Sequence, residues 1–412
     1  MDKIVSTGIT VIVFLLISCQ GKKEDNQQMK NEVELNKQAQ ALAEKFIITD
    51  GHIDLPYRLK GEGYLGSDTI LDLTQETSGN FDYPKSKRGG LDAPFMSIFI
   101  PAALQKTGGS KALADSLIDL VEKICVDYSD QFALANTPKE VQENFNKGKI
   151  SLPMGMENGS PLEGNLSNVK HFFDRGIRYI TLTHAKDNHI CDSSYDTTRT
   201  WNGLSDFGKT VIKEMNKEGI MIDVSHISDD TFYQVMELSD APCIASHSSC
   251  RKFTPGFERN MDDDMIRLLA KNDGVIQINF GSTFISQQSQ EKFKKVRAYA
   301  DSIANSESNS GISVDEMINA YANKIGAFAS VSDVADHIDH VVSLVGIDYV
   351  GLGSDYDGVG DSLPIGLKDA STYPNLIKEL LARGYTEADI EKICYKNVFR
   401  VWNKVLEIAG KQ

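Results

Sequence analysis

Lys45-Phe46-Ile47-Ile48-Thr49-Asp50-Gly51-His52-Ile53-Asp54-Leu55-Pro56 is the stretch on which the reading of the chain turns. Lys45–Thr49 is an apolar run of strand type, and Pro56 stops regular pairing soon after it. His52 and Asp54 therefore stand where a buried strand is expected to end. Two apart on extended backbone, they point to one side. An imidazole beside a carboxylate at a strand mouth can grip a divalent metal ion. His-x-Asp alone is a common accident, so its meaning depends on what other segments bring to the same end of the same sheet.

Outward from this stretch, short apolar runs recur at regular intervals. Strands are predicted over Lys45–Thr49, Met96–Pro101, Lys149–Met156, Ile177–Thr183, Ile220–Ser225, Cys243–Ser246, Val275–Phe280 and Tyr349–Gly353. Amphipathic stretches such as Lys111–Ser129, Asp206–Lys217 and Val331–Leu344 lie between them. Eight strands alternating with helices predict a (β/α)8 TIM-type barrel. The competing doubly wound sheet lacks the Gly-x-Gly-x-x-Gly expected after its first strand. Residues 57–95 read as a long loop after strand 1, and residues 281–330 as an insertion after strand 7 forming a lid or subdomain. Glu387–Ala409 reads as a helix packed on the outside.

The strand ends carry the chemistry. Glu157 closes the third strand, His184 the fourth, His226 the fifth, His247 the sixth and Asp355 the eighth. In a parallel barrel these ends share one face, where active sites collect. His52, Asp54, Glu157, His226 and His247 are nitrogen and oxygen ligands without thiolate, a mixture that suits Zn²⁺. Five ligands exceed the need of one tetrahedral zinc. Two ions sharing Glu157 would use them all and hold a hydroxide between them as nucleophile.

The rest of the chain bounds the class. Its 412 residues, 41% hydrophobic and 25% charged, suit one large soluble barrel. A net charge of −15, with no basic stripe after residue 30, argues against nucleic acid as a partner. Residues 1–19 read as a lipoprotein signal peptide: a mostly apolar run over Ile4–Ser18 ends in a small residue before Cys19, the lipobox pattern in which the cysteine is lipidated. Residues 20–33 read as a polar tether and 34–412 as a single domain. The expected location is that of an exported bacterial lipoprotein, anchored by its N-terminal lipid in the periplasm or at the cell surface. Cys125, Cys191, Cys243, Cys250 and Cys394 form neither a disulfide framework nor a Cys-x-x-Cys zinc site.

The motifs Asp50-Gly51-His52-Ile53-Asp54-Leu55-Pro56, Glu157, Leu182-Thr183-His184, Ile222-Asp223-Val224-Ser225-His226, Ser246-His247-Ser248-Ser249 and Gly353-Ser354-Asp355-Tyr356-Asp357-Gly358 resemble, in order and spacing, the membrane dipeptidase (renal dipeptidase) family of amidohydrolase-type metallo-barrels. The resemblance implies a dipeptidase with two zinc ions, acting through a metal-bridging hydroxide and accepting a C-terminal D-residue. It implies His52 and Asp54 on one zinc, His226 and His247 on the other, and Glu157 on both. His184 would steady the oxyanion, Asp355 would carry the proton from water to leaving amine, and Arg259 would hold the substrate's terminal carboxylate, with Arg251 the second candidate. A homodimer stays open. So do two other readings: another metal-dependent hydrolase of this barrel class (lactonase, phosphotriesterase or deaminase), and a peptide-binding surface lipoprotein with an inactive site.

Overall fold

The computed structural model describes residues 29, 31–304 and 314–410. The signal peptide with Cys19 and most of the tether lie outside the described residues. The last residues of the expected tether already belong to a helix over residues 31–45. Among the described residues no helix is long and apolar enough to cross a membrane.

Among the described residues ten strands run in chain order: β1 (Ile48–Ile53), β2 (Leu91–Phe99), β3 (Phe132–Leu134), β4 (Ile150–Leu152), β5 (Met154–Glu157), β6 (Ile177–Thr181), β7 (Met221–Asp223), β8 (Ile244–Ser248), β9 (Val275–Ile278) and β10 (Val350–Leu352). Eight form one parallel sheet in the order β1-β2-β5-β6-β7-β8-β9-β10. The sheet closes on itself where strand ends meet. Asp54 N–H donates to Tyr356 O at 2.9 Å, and Asp355 N–H donates to His52 O at 3.1 Å. The (β/α)8 barrel expected from the strand count is present, and the seam of its closure runs between two segments that carry site residues.

The barrel is filled rather than hollow. Tyr179 of β6 lies over Gly155 of β5, where a Cβ would come within 2.0 Å of the phenol ring. Only glycine leaves room for that ring. Phe95, Tyr179, Met221 and Val275 join Val398, Trp402 and Val405 of the C-terminal helix in one buried cluster.

Several boundaries differ from expectation. The first strand extends through Ile53, because the Thr49 hydroxyl, the Asp50 carboxylate and His52 Nδ1 find hydrogen-bond partners inside the barrel. Asp54 has already turned out of the strand (φ −87°, ψ 24°) and precedes a helix, Leu55–Gly61. The third predicted strand breaks at Pro153 into β4 and β5, and β4 pairs with the unforeseen β3 in a separate two-stranded sheet. Residues 57–95 are not one loop: they include most of the helix Leu55–Gly61, the helix Tyr83–Gly89 and the start of β2. The insertion holds the helices Ser282–Ile285, Gln287–Ala304 and Val314–Lys324. The terminal helix, expected on the outside, covers the barrel floor, since Val398 and Trp402 cluster with residues at the amino-terminal ends of the strands. Cys125, Cys191, Cys243, Cys250 and Cys394 are all free thiols.

Asp92 at the start of β2 offers a test of the buried floor. It is 5% exposed and accepts only the Ile48 N–H, at 3.2 Å. Burial pushes its carboxyl up to about 7, against the pull of Ile48 N–H and Lys87. A folded-state pKa raised above the unfolded value means the folded chain binds the extra proton between pH ~4 and ~7, so stability falls as pH rises through that window. Asp92→Asn keeps the acceptor and removes the charge. It is expected to stabilise the protein by roughly 2–4 kcal/mol at pH 8 and by little at pH 4. Melting temperatures of both proteins across this range check it, and a gain independent of pH would contradict it.

Candidate active site

Glu157, the last residue of β5, sits at the centre of the site and is 3% exposed. Its two oxygens face different partners. Oε2 lies 3.3 Å from His52 Nε2, and that same nitrogen lies 3.4 Å from Asp54 Oδ2. Oε1 lies 3.1 Å from His226 Nε2, 3.4 Å from His247 Nε2 and 3.6 Å from His184 Nε2. His184, His226 and Asp355 each stand three residues beyond the ends of β6, β7 and β10, whereas His52 and His247 project from within β1 and β8. All seven residues proposed from strand ends thus converge on the carboxyl-terminal face. Three overlapping groups among them have potential ligand atoms within 4.8 Å of one another: His52, Glu157 and His247; Glu157, His184 and His226; and His52, Asp54 and Asp355.

The hydrogen bonds behind the histidines set which ring nitrogen carries the proton. Tyr179 Oη donates to Gly51 O at 3.0 Å, so at 2.9 Å it accepts from His52 Nδ1. Ser246 Oγ donates to Asp223 Oδ2 at 2.6 Å, so at 2.7 Å it accepts from His247 Nδ1. Both rings therefore turn an Nε2 lone pair toward the Glu157 carboxylate. Lone pairs at 3.3 and 3.4 Å from carboxylate oxygens repel unless positive charge lies between them. Among the described residues His52 Nε2, Asp54 Oδ1 and His226 Nδ1 have no hydrogen-bond partner. Burial lowers the basicity of His226 and His247 well below that of ordinary imidazole. At His52 burial also opposes charge, but Tyr179, Glu157 and Asp54 raise its pKa well above the usual value, so its Nε2 attracts a positive charge, a metal ion or in its place a proton. At Glu157 burial is outweighed by His52, His184 and the facing rings, and the carboxyl is held well below the usual range. This donor set fits divalent metal ions.

Two buried aspartates fasten these ligands, and neither stood out as functional in the sequence. Asp50 accepts His52 N–H (2.9 Å), Ser354 N–H (2.9 Å) and Tyr373 Oη (2.5 Å), tying β1 to the segment that carries Asp355. Asp223 accepts Ser225 N–H (3.0 Å), Ser246 N–H (2.8 Å) and the hydroxyls of Ser246 and Thr181, tying β6, β7 and β8 together. The available signal was shared position: Asp50 precedes His52 by two residues and Asp223 precedes His226 by three.

Asp355 adopts a left-handed backbone (φ 64°) and receives Asn279 Nδ2 on Oδ2 at 2.8 Å. Burial drives its carboxyl up to about 7, with His52 pulling it down and Asp54 and Glu157 pushing it further up. Gly358 packs against this pair, since a Cβ there would lie 2.1 Å from Asp54 Oδ2 and 2.5 Å from Asp355 Oδ1. Asp357 faces away, accepting Asn80 N–H at 2.6 Å and pairing with Arg58 Nε at 3.0 Å. Burial lowers the pKa of His184, keeping its ring neutral at pH 7.

The two arginines separate clearly. Arg251 forks onto Asp229 at 2.6 and 2.7 Å. Arg259 is 3% exposed, donates to Ser248 Oγ (2.7 Å) and His247 O (2.8 Å), and has no carboxylate partner among the described residues. Its guanidinium stacks on Phe284, 5.4 Å from the ring centroid. The cavity above Glu157 measures about 600 Å³ and is walled by Tyr57, Phe99, Tyr195, Phe284 and Val359, aromatic and apolar contacts that strand-end reasoning did not reach.

Comparison with known proteins decides the family. The family model for membrane dipeptidase (peptidase family M19) matches residues 36–412. The chain belongs to the membrane dipeptidase family. It is 31% identical to mouse dipeptidase 3 over 381 residues, covering 92% of this chain and 68% of that one. It is also 31% identical to an uncharacterized dipeptidase of Schizosaccharomyces pombe over 378 residues, covering 89% and 82%. The crystal structure of the probable dipeptidase PvdM from Pseudomonas aeruginosa superimposes with a TM-score of 0.77 at 26% identity, over 91% of this chain and 99% of the other. The protein is thus a dipeptidase of a metallopeptidase family, with metal dependence and a candidate metal site at the mouth of its barrel.

Proposed function

We propose that the protein cleaves the single peptide bond of dipeptides with two zinc ions held around Glu157. The observation that carries this reading is the split of the Glu157 carboxylate. Oε2 turns to His52 and Asp54, Oε1 turns to His226 and His247, and ring lone pairs are aimed inward from both sides. His52 and Asp54 would hold one ion, His226 and His247 the other, and Glu157 both. Two such ions would supply Lewis acidity to the peptide carbonyl and acidify the attacking water. Three imidazoles with two carboxylates suit zinc, the ion of this reading.

The remaining roles belong to the chain's own groups. His184, neutral and 3.6 Å from Glu157, donates an N–H to the oxygen that gains charge as the carbonyl is attacked. Asp355 takes a proton from the attacking water and delivers it to the leaving amine nitrogen. Arg259 binds the substrate's terminal carboxylate, which limits the substrate to one residue beyond the cleaved bond. Tolerance of a D-residue there is part of the reading, as is a lipid on Cys19, supported by the apolar run Ile4–Ser18 before it.

Metal analysis of the purified chain, with a panel of L,L- and L,D-dipeptides beside tripeptides, tests this reading. Two zinc ions per chain and turnover of dipeptides alone are expected. Fully loaded protein that turns over no dipeptide would overturn the reading. Losing a buried charge partner of substrate costs about 2–5 kcal/mol, so Arg259→Met should raise KM roughly 30-fold or more while largely sparing kcat. Arg251→Met, which frees Asp229 and the carbonyls of Glu258 and Asn260 but no substrate group, should leave KM near wild type. An unchanged KM in Arg259→Met would move the carboxylate to another cation.

A further inference from the structure

Beyond the catalytic cavity, the insertion after β9 builds a second chamber. It has a volume of about 440 Å³ and lies between the helices Gln287–Ala304 and Val314–Lys324 and the loop 359–362. Its walls set Phe293, Val296, Ala300, Ile318 and Ala322 on the two helices beside the polar Thr283, Arg297, Asn319, Asp361 and Ser362. Val296 and Ala322 are also buried members of the insertion's own small core, against which Phe293 and Ile318 pack, so the walls are held in place. Asn319 Nδ2 donates to Asp361 Oδ2 at 2.7 Å, which ties the insertion to the loop that follows Asp355. Phe284 and Val359 line both this chamber and the catalytic cavity, so the two spaces meet at that pair.

We propose that this chamber is the subsite for the side chain of the substrate's carboxyl-terminal residue, and that it selects bulky apolar or aromatic side chains. The inference rests on the reading of Arg259 as the carboxylate-binding residue. That guanidinium stacks on Phe284, so the residue whose carboxylate it holds lies beside the Phe284–Val359 threshold. The catalytic cavity has room for the dipeptide backbone and the amino-terminal side chain. The carboxyl-terminal side chain is the part of the substrate closest to the chamber. Of the two charged lining groups, Asp361 is engaged by Asn319 and Arg297 is exposed to solvent, so the helix walls of Phe293, Val296, Ala300, Ile318 and Ala322 reward apolar surface removed from water. The established reaction needs none of these residues; what they set is which dipeptides it acts on.

Steady-state kinetics of the full-length zinc-loaded enzyme on L-Ala-Gly and on L-Ala-Phe, with either enantiomer of the second residue, tests the proposal. In the wild type, kcat/KM for the better Ala-Phe isomer should exceed that for Ala-Gly by at least ~10-fold, the scale of small apolar differences in a fitted pocket. Ala300→Phe, which fills the chamber from a half-buried helix position, should bring the ratio close to one and leave Ala-Gly turnover within about twofold of wild type. Ile318→Trp should do the same from the other helix, guarding against a fold defect peculiar to one variant. A wild-type ratio near one overturns the subsite, as does equal loss on both substrates in variants with unchanged melting temperature. Absence of turnover on both peptides by the wild type would instead overturn the dipeptidase reading beneath it.

Discussion

If two zinc ions are held as proposed, Glu157→Gln is expected to lower kcat/KM by at least ~10³-fold and to reduce bound zinc to one ion or none. The substitution keeps the shape and volume of the side chain but removes its charge. It also places an amide NH₂ where one carboxylate oxygen stood. If the NH₂ takes the Oε1 position, it faces His226, His247 and His184; in the Oε2 position it faces His52. Either orientation directs an N–H at His247 or at His52, whose Nε2 lone pairs now face an anion. Those lone pairs would find donors, and the electrostatic demand for a cation on that side would vanish. Metal analysis and kinetics measure the effect, and circular dichroism shows that the fold survives. A Glu157→Gln protein with two zinc ions and activity within tenfold of wild type would rule out a bridging role.

How much of this site the sequence discloses follows from where its residues find their partners. Glu157, His184, His226 and Asp355 are legible because each follows an apolar strand by a few residues, and the parallel barrel puts all such ends on one face. His52 was legible as a candidate ligand, but its strand was cut short at Thr49. Asp50 and His52 interrupt the apolar run, and their burial is made tolerable by Tyr373, Ser354 and Tyr179, which are remote in sequence. Asp50 and Asp223 escaped for the same reason. Their acceptor bonds reach Ser354 and Ser246, 304 and 23 residues away, and no local pattern marks them. The insertion is legible as a lid or subdomain with a helical run through Ala300, while its other helices escape because their apolar positions face a small core and a chamber rather than the barrel. The terminal helix reads as amphipathic from any sequence window. That it closes the barrel floor is a property of Phe95 and Trp402 meeting in space.

Asp355→Asn is expected to lower kcat by about 10²–10⁴-fold, with KM and bound zinc close to wild type. An asparagine there can keep the geometry. Its backbone N–H still donates to His52 O, and its side-chain oxygen can still accept from Asn279 Nδ2. What it cannot do is take a proton and give it back. Burial brings Asp355 up to about 7, and a group poised near the working pH transfers protons most effectively in both directions. The left-handed backbone at φ 64°, pinned to β1 across the barrel seam, keeps the carboxylate within ligand distance of His52 and Asp54. That nearness gives the experiment its second arm. If Asp355→Asn loses zinc together with activity, Asp355 acts as a metal ligand beside His52 and Asp54. If zinc stays and kcat falls while KM holds, Asp355 moves the proton, and Asn279, which grips only Oδ2, leaves Oδ1 to carry it.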